Sequence, residues 1–287
     1  MLRFDKHTQT LQRDEHLFKL QEPEEPEYYD DIFPEGKVPR IAFNHRHVPM
    51  RPASAIWITD TTFRDGQQAM PPFTPEQIIT LYDMLHKLGG EHGLVRVSEF
   101  FLYQQRDREA VQGCLELGHD YPEVTAWIRA NSKDFQLVKE MGLQETGILT
   151  SVSDYHIFHK WPNTNRRMAI ERYLSIVKEC LSEGIRCRCH FEDITRADFY
   201  GFVVPFAIEL RKLSEESGMP IRIRACDTMG YGVPYPGASL PRSVPGIIYG
   251  LNYHAGYPSE WLEWHLSLIH ISEPTRPLYI SYAVFCL

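Results

Sequence analysis

The chain has 287 residues, 43% of them hydrophobic and 24% charged, with a formal charge of −8 at pH 7. That composition suits a soluble globular protein with enough apolar material for a sizeable core, in one large domain or two small ones. The acidic balance counts against a nucleic-acid-binding surface, which would show a basic patch, and no run of about 18 apolar residues predicts a membrane span.

The opening stretch, MLRFDKHTQTLQRDEHL, has neither the apolar core of a signal peptide nor the acid-poor composition of a transit peptide, so the cytoplasm is the expected location. Six scattered cysteines (114, 180, 187, 189, 226 and 286) do not suggest a disulfide framework. Cys187-x-Cys189-His190 invites comparison with a metal cluster. No second Cys/His pair stands at zinc-site spacing, so it reads instead as a strand with small buried thiols on one face.

Residues 1–52 include the acidic, proline-rich Glu22–Glu27 and predict an irregular arm lying on the domain. From Ala55 short apolar runs alternate with amphipathic stretches, the pattern of repeated βα units. Ala55–Asp60 is a buried-strand run. Thr74-Pro75-Glu76-Gln77 then offers an N-cap, a proline at the first helical position and a capping-box glutamine. Ile78, Leu81, Tyr82, Leu85 and Leu88 follow at helical spacing, and Gly89-Gly90 ends the helix. The second unit runs from strand Leu94–Phe101 to helix Asp107–Leu117, and the third from Val124–Ile128 to Asp134–Met141. The fourth pairs Thr146–Thr150 with a long helix from about Asn165 to Glu183, and the fifth pairs Arg186–Phe191 with Asp198–Ser217. The sixth is Ile221–Cys226 with a helix near Pro245–Tyr253, and a seventh strand begins at Trp261.

About six and a half βα units in roughly 210 residues predict an incomplete (β/α)8 TIM barrel over 53–265. A doubly wound open sheet is the competitor, but it would carry a Gly-rich turn after its first strand, where Asp60–Gly66 stands instead. In a barrel, reactive groups sit where strands end. Those ends carry Asp60, Thr61, Thr62, Arg64, Asp65, Gln67 and Gln68, then Glu99, then Arg129 and Asn131. After them come Ser153, Asp154 and His156; His190, Glu192, Asp193, Thr195 and Arg196; Asp227 and Thr228; and His265. Carboxylates and imidazoles converging with an arginine suit a divalent cation and an anionic substrate.

Ile58–Gln68 (ITDTTFRDGQQ) resembles the strand-one signature of the DRE-TIM metallolyase superfamily, which includes isopropylmalate, homocitrate, citramalate and Re-citrate synthases and hydroxymethylglutaryl-CoA lyase. Further matches follow in order: Ser153-Asp154-x-His156, Phe191–Asp198 (FEDITRAD), Asp227–Gly232 (DTMGYG), and Glu263-Trp264-His265 at the start of a His-x-His-Asn-Asp motif. The resemblance implies that Arg64 stabilises an enolate or alkoxide oxygen. It implies that Asp65 and His265 ligate a divalent metal (Mg, Mn or Zn). It makes Gln68, Glu99, Glu192 and Thr228 candidates for substrate contact, with the register at Glu99 left open. A metal chelating a 2-oxo acid polarises its ketone, and a fixed guanidinium offsets the charge that develops.

The implied activity is a Claisen-type condensation of acetyl-CoA with a 2-oxo acid, as in 2-isopropylmalate synthase, by a homo-oligomeric parent protein. A lyase working through the same enolate, as in hydroxymethylglutaryl-CoA lyase, is the first alternative, and an inactive barrel fragment or interaction module the second. Asp193 and Arg196 are as readily a cap and a loop ion pair. His156, His159 and Lys160 read as solvent-facing, Trp261 and Trp264 as barrel filling, and Cys226 as core.

The second histidine of the strand-seven motif is replaced by Ser267. Leu266–Arg276 (LSLIHISEPTR) is the in-frame translation of a transposase-adapter sequence used in sequencing libraries, so 266–287 is expected to be a non-native tail. A barrel lacking its end would expose two strand edges and an apolar lumen, and the truncated chain is expected to be inactive.

Overall fold

The computed structural model describes residues 2–5, 10–13, 19–29, 53–68, 71–160, 163–234 and 238–265. The expected tail 266–287 lies outside the described residues. Strands β1 (Leu2–Asp5) and β2 (Thr10–Arg13) pair antiparallel, so the described part of the stretch expected to be irregular includes a strand pair.

Seven parallel strands form the main sheet: β3 (Ile58–Asp60), β4 (Val95–Phe100), β5 (Glu123–Arg129), β6 (Glu145–Ser151), β7 (Arg186–Glu192), β8 (Ile221–Cys226) and β9 (Leu262–His265). They lie side by side in sequence order, with no reversal, which excludes the doubly wound alternative. Helices α1 (Pro75–Gly89), α2 (Gln105–Glu116), α3 (Ser132–Glu140), α4 (Asp154–Lys160), α5 (Arg166–Ser182), α6 (Val204–Ser217) and α7 (Val244–Ala255) alternate with the strands. The sheet curls until the loop after β3 meets the end of β9, where Asp65 Oδ2 and His265 Nε2 are 3.3 Å apart. Among the described residues this is an incomplete TIM barrel, as the alternation predicts.

Local chemistry explains most element ends. The capping box at Thr74 and Gln77 forms in both directions. Asn131, Asn165 and Ser243 each cap their helix by accepting from a backbone N–H three residues on. Two elements differ from expectation. Helix α4 interrupts what reads as a loop before α5, and a π-turn at Phe199–Val203 precedes α6, spoiling the continuous helix expected from Asp198.

Alternate strand residues face opposite sides, and the two faces differ sharply. Phe100, Ala126, Ile128, Ile148, Cys187, Cys189, Phe191, Ile223 and Ala225 are buried under the helices. Phe206 of α6 packs there, with its ring centroid 5.1 Å from that of Phe191 and 5.6 Å from that of Tyr173. Each such aromatic contributes about 1.5–3 kcal/mol by leaving water. The paired thiols are thus core, as the strand reading expected.

The lumen corrects the expectation of an apolar interior. Glu99, Glu145, Arg188 and Arg224 are buried on that side, with Glu263 beside them. Arg224 Nη1 is 2.8 Å from Glu99 Oε1, and its Nε is 2.9 Å from Glu263 Oε1. Buried guanidinium groups persist only when paired, and these form a ladder down the barrel. Gly147 makes room for it. A Cβ there would stand 2.6 Å from His190 Nε2 and 3.0 Å from Glu99 Oε1.

Candidate active site

The turn after β3 builds the first part of the site. Asp60 accepts from the Thr62 hydroxyl at 2.6 Å and the Ser98 hydroxyl at 3.0 Å, fixing the strand end. The backbone N–H groups of Arg64, Asp65 and Gly66 all point to the Thr61 carbonyl, at 3.1, 2.8 and 3.2 Å. This tight turn holds Arg64 and Asp65 as an ion pair. The Arg64 guanidinium lies 4.4 Å from the centroid of the Trp127 ring, with its Nε 3.9 Å from Glu99 Oε2.

Of the residues expected at the site, Arg64, Asp65, Glu99 and His265 come together. The Glu99 side chain is fully buried and lies against Arg224 and His190. Burial disfavours its charged form, but Arg224 and His190 outweigh that and hold the carboxyl well below its usual range. Burial and the nearby Arg224 push His190 and His265 each down to about 4, so both imidazoles are neutral at pH 7. Burial raises the Asp65 carboxyl against the pull of Arg64.

Two donors thus face one point. Asp65 Oδ2 is a buried oxygen without a hydrogen-bond partner, and the Nε2 atom of neutral His265 stands 3.3 Å away. An unprotonated imidazole and an orphaned carboxylate oxygen at this spacing fit two adjacent ligands of a divalent cation. Position 267, where the motif would supply another histidine, is Ser267 and lies outside the described residues. Among the described residues no group of three or more metal-ligating side chains is assembled.

Glu192 stands in a neighbouring cluster. Across β6 to β9 the register aligns Ser151, Glu192, Cys226 and His265 in one row, strands being about 4.8 Å apart. The Ser151 hydroxyl donates to Glu192, and His156 Nδ1 and Lys160 Nζ approach its Oε2 at 2.9 and 2.5 Å. Burial opposes ionisation of Glu192, yet these partners hold its carboxyl down to about 2. His156 is therefore half-buried rather than solvent-facing, whereas Lys160 is exposed as expected while its ammonium still reaches Glu192. His159 stacks on Tyr28, their centroids 5.8 Å apart.

The remaining candidates are mostly structural in their contacts. Thr228 Oγ1 accepts from the Asp193 backbone N–H at 2.8 Å. Asp193 pairs with Arg196 at 2.7 Å, the loop ion pair foreseen as one of two readings. Gln68 ends the short 3-10 turn Gly66–Gln68 and is exposed, outside the buried cluster. Cys226 is buried as expected, but in the lumen row between Glu192 and His265 rather than under the helices. Trp261 and Trp264 pack against the core as expected. Sequence reasoning missed Arg224 and Glu263; their signal was charged residues at a period of two inside strands that otherwise read as buried.

A curled parallel sheet with a polar, carboxylate- and guanidinium-rich cluster at its C-terminal strand ends places the fold in the TIM-barrel class. The chain belongs to the HMGL-like family, which matches residues 55–243. It is 60% identical over 248 residues to a citrate (Re)-synthase of Syntrophus aciditrophicus, covering 86% of this chain and 39% of that protein. It is 30% identical over 194 residues to 2-isopropylmalate synthase 2 of Caldanaerobacter subterraneus subsp. tengcongensis, covering 67% and 48% of the two chains. The crystal structure of hydroxymethylglutaryl-CoA lyase from Pseudomonas aeruginosa superposes with a TM-score of 0.56 at 20% identity, over 81% of this chain and 74% of that one. That likeness concerns the fold. The chain thus spans about two fifths to one half of the curated relatives described. Among the described residues no helix is long and apolar enough to cross a membrane.

Proposed function

We propose that this chain is the barrel portion of a synthase that condenses acetyl-CoA with a 2-oxo acid, and that the acid is oxaloacetate, giving citrate. The supporting observation is the Arg64–Asp65–His265 convergence at the strand ends. The choice of acid rests on likeness: 60% identity to a citrate (Re)-synthase against 30% to an isopropylmalate synthase. Removing an acetyl unit from citrate leaves a four-carbon 2-oxo dicarboxylate. The sequence-based expectation of an isopropylmalate-type substrate is replaced accordingly.

Asp65 and His265 would hold a divalent cation, which supplies Lewis-acid polarisation of the 2-oxo group. Arg64, pinned between Asp65 and the Trp127 face, presents a fixed positive charge where negative charge grows on oxygen. Glu99 and Arg224 brace that arginine from below. Glu192, ionised down to about pH 2, is too weak a base to take a carbon-bound proton. Its role is to orient His156 through Nδ1 and to shape the mouth with Lys160. Thr228 accepts a backbone bond through Oγ1, which leaves its hydroxyl proton for a substrate carboxylate. Gln68 would contact substrate only at the exposed rim.

The test uses the complete protein and follows CoA release with a thiol reagent. Release should require both acetyl-CoA and oxaloacetate. Arg64→Ala should lower kcat by roughly 10²–10³, the usual cost of losing one oxyanion-stabilising donor. Cleavage of an acyl-CoA without any 2-oxo acid would move the reading to a lyase. An Arg64→Ala rate within about twofold of the parent would reject the assigned role.

A further inference from the structure

A second fully buried arginine lies outside this machinery and joins four separate stretches of chain. Arg166, the first residue of α5, is 0% exposed. Its Nε and Nη2 donate to the two carboxylate oxygens of Asp154 at 2.9 and 2.7 Å. Its Nη1 donates to Asp198 Oδ2 at 3.0 Å and to the Gln21 carbonyl at 3.2 Å. A guanidinium fork matched to two carboxylates and a carbonyl satisfies the conditions for burying this charge.

Each partner is anchored in turn. Asp154 Oδ2 also accepts from the Glu27 backbone N–H at 2.6 Å. Asp198 accepts from the Gly201 N–H at 2.8 Å, capping the π-turn, and from the Tyr29 hydroxyl. The Tyr155 hydroxyl donates to the Tyr28 carbonyl at 3.2 Å. The loops after β6 and β7, the start of α5 and residues 21–29 therefore converge on one side chain.

This convergence reaches the substrate side through α4. Asp154 opens that helix, and His156 and Lys160, two residues and one further turn along, are the groups that meet Glu192. Seven residues are too few for a helix to hold its own conformation, so tertiary anchors must set it. We propose that Arg166 is a positioning residue that, through Asp154, sets α4 so that His156 and Lys160 engage Glu192, with residues 21–29 as the other half of the clamp. Lysine cannot reproduce it, because a point charge cannot span Asp154 and Asp198 with the same fork.

The kinetic half of this proposal rests on the acetyl-CoA and 2-oxo acid reading; the structural half does not. Arg166→Lys and Asp198→Asn are prepared in the complete protein and checked for folding by circular dichroism. In hydrogen-exchange mass spectrometry, segments 21–29 and 153–160 should exchange about 10-fold faster or more, while α2 stays unchanged. In steady-state kinetics KM for the 2-oxo acid should rise about 10-fold, with KM for acetyl-CoA within about twofold. Unchanged exchange over 153–160 in either folded variant overturns the proposal, and so does loosening that extends equally to α2. Should Arg166→Lys fail to fold, Asp198→Asn carries the test, since it keeps the shape and removes one charge. A parent protein without condensation activity rejects the functional reading alone, and the exchange result still decides the clamp.

Discussion

Arg224→Met should destabilise the barrel more than any substitution at the site mouth. Arg224 is fully buried and serves two carboxylates, Glu99 at 2.8 Å and Glu263 at 2.9 Å. Removing one partner of a buried ion pair costs about 3–5 kcal/mol, and here two anions each lose their shortest contact while Glu263 keeps Arg188 at 3.2 Å, so the lower end of that range applies. At about 2–4 °C per kcal/mol for a domain of this size, the melting temperature should fall by roughly 6–12 °C. The pH dependence gives an independent check. Arg224 and Arg188 overcome burial and hold the Glu263 carboxyl down to about 2, below its ordinary 4.5. A depressed carboxylate pKa contributes stability that is fully present above 4.5 and is lost as pH falls toward 2. The gap between parent and Arg224→Met should therefore be widest near neutrality and narrow on acidification below 4.5. Urea unfolding followed by circular dichroism at several pH values measures both quantities. Adding Glu99→Gln and Glu263→Gln to Arg224→Met should recover most of the loss, because no unpaired charge then remains. A loss under about 1 kcal/mol, or one independent of pH, would refute the ladder as a stabilising network.

Gly147→Ala should cost about 1–3 kcal/mol by overpacking, since the new methyl meets His190 and Glu99 at 2.6 and 3.0 Å; a neutral result in thermal melts would show that the lumen yields easily. Glu192→Gln should flatten the acid limb of the stability curve. The parent loses the Glu192 contribution as pH falls from 4.5 toward 2, whereas the variant has no such group; superimposable urea midpoints across that window would contradict the assignment. In the complete protein, Asp65→Asn and His265→Gln should each weaken divalent-cation affinity at least about 10-fold in equilibrium dialysis, because even outer-sphere changes cost that much. Unaltered affinity in both would remove these residues from the metal site.

The alternation of short apolar runs with capped amphipathic segments made the strand order legible, because sheet neighbours here are sequence neighbours and each βα unit carries its own local signals. The strand-one turn was legible for a related reason: Arg64 and Asp65 stand beside each other, and a single backbone turn at Thr61 aims both. Groups that meet across the barrel were not. Glu99 and Arg224 are 125 positions apart, and nothing in either strand names the other. What the strands did show was charge at lumen-facing positions, which a paired interior accommodates and an apolar one would not. The contacts of His156 and Lys160 with Glu192 lay beyond the same boundary. They are made from α4, whose first residue, Asp154, is bonded to a guanidinium twelve residues away, itself bonded to the Gln21 carbonyl, and to the Glu27 amide. Local pattern therefore specified where chemistry could sit, whereas long-range pairing of buried charge decided which side chains reached it. The consequence bears on substrate choice. If buried arginine–carboxylate contacts set the orientation of the mouth, then on the proposed synthase reading substitutions at Arg166 or Asp198, which stand among the supports, should alter discrimination between 2-oxo acids as effectively as substitutions at the strand ends, a comparison that kcat/KM for two such acids would decide.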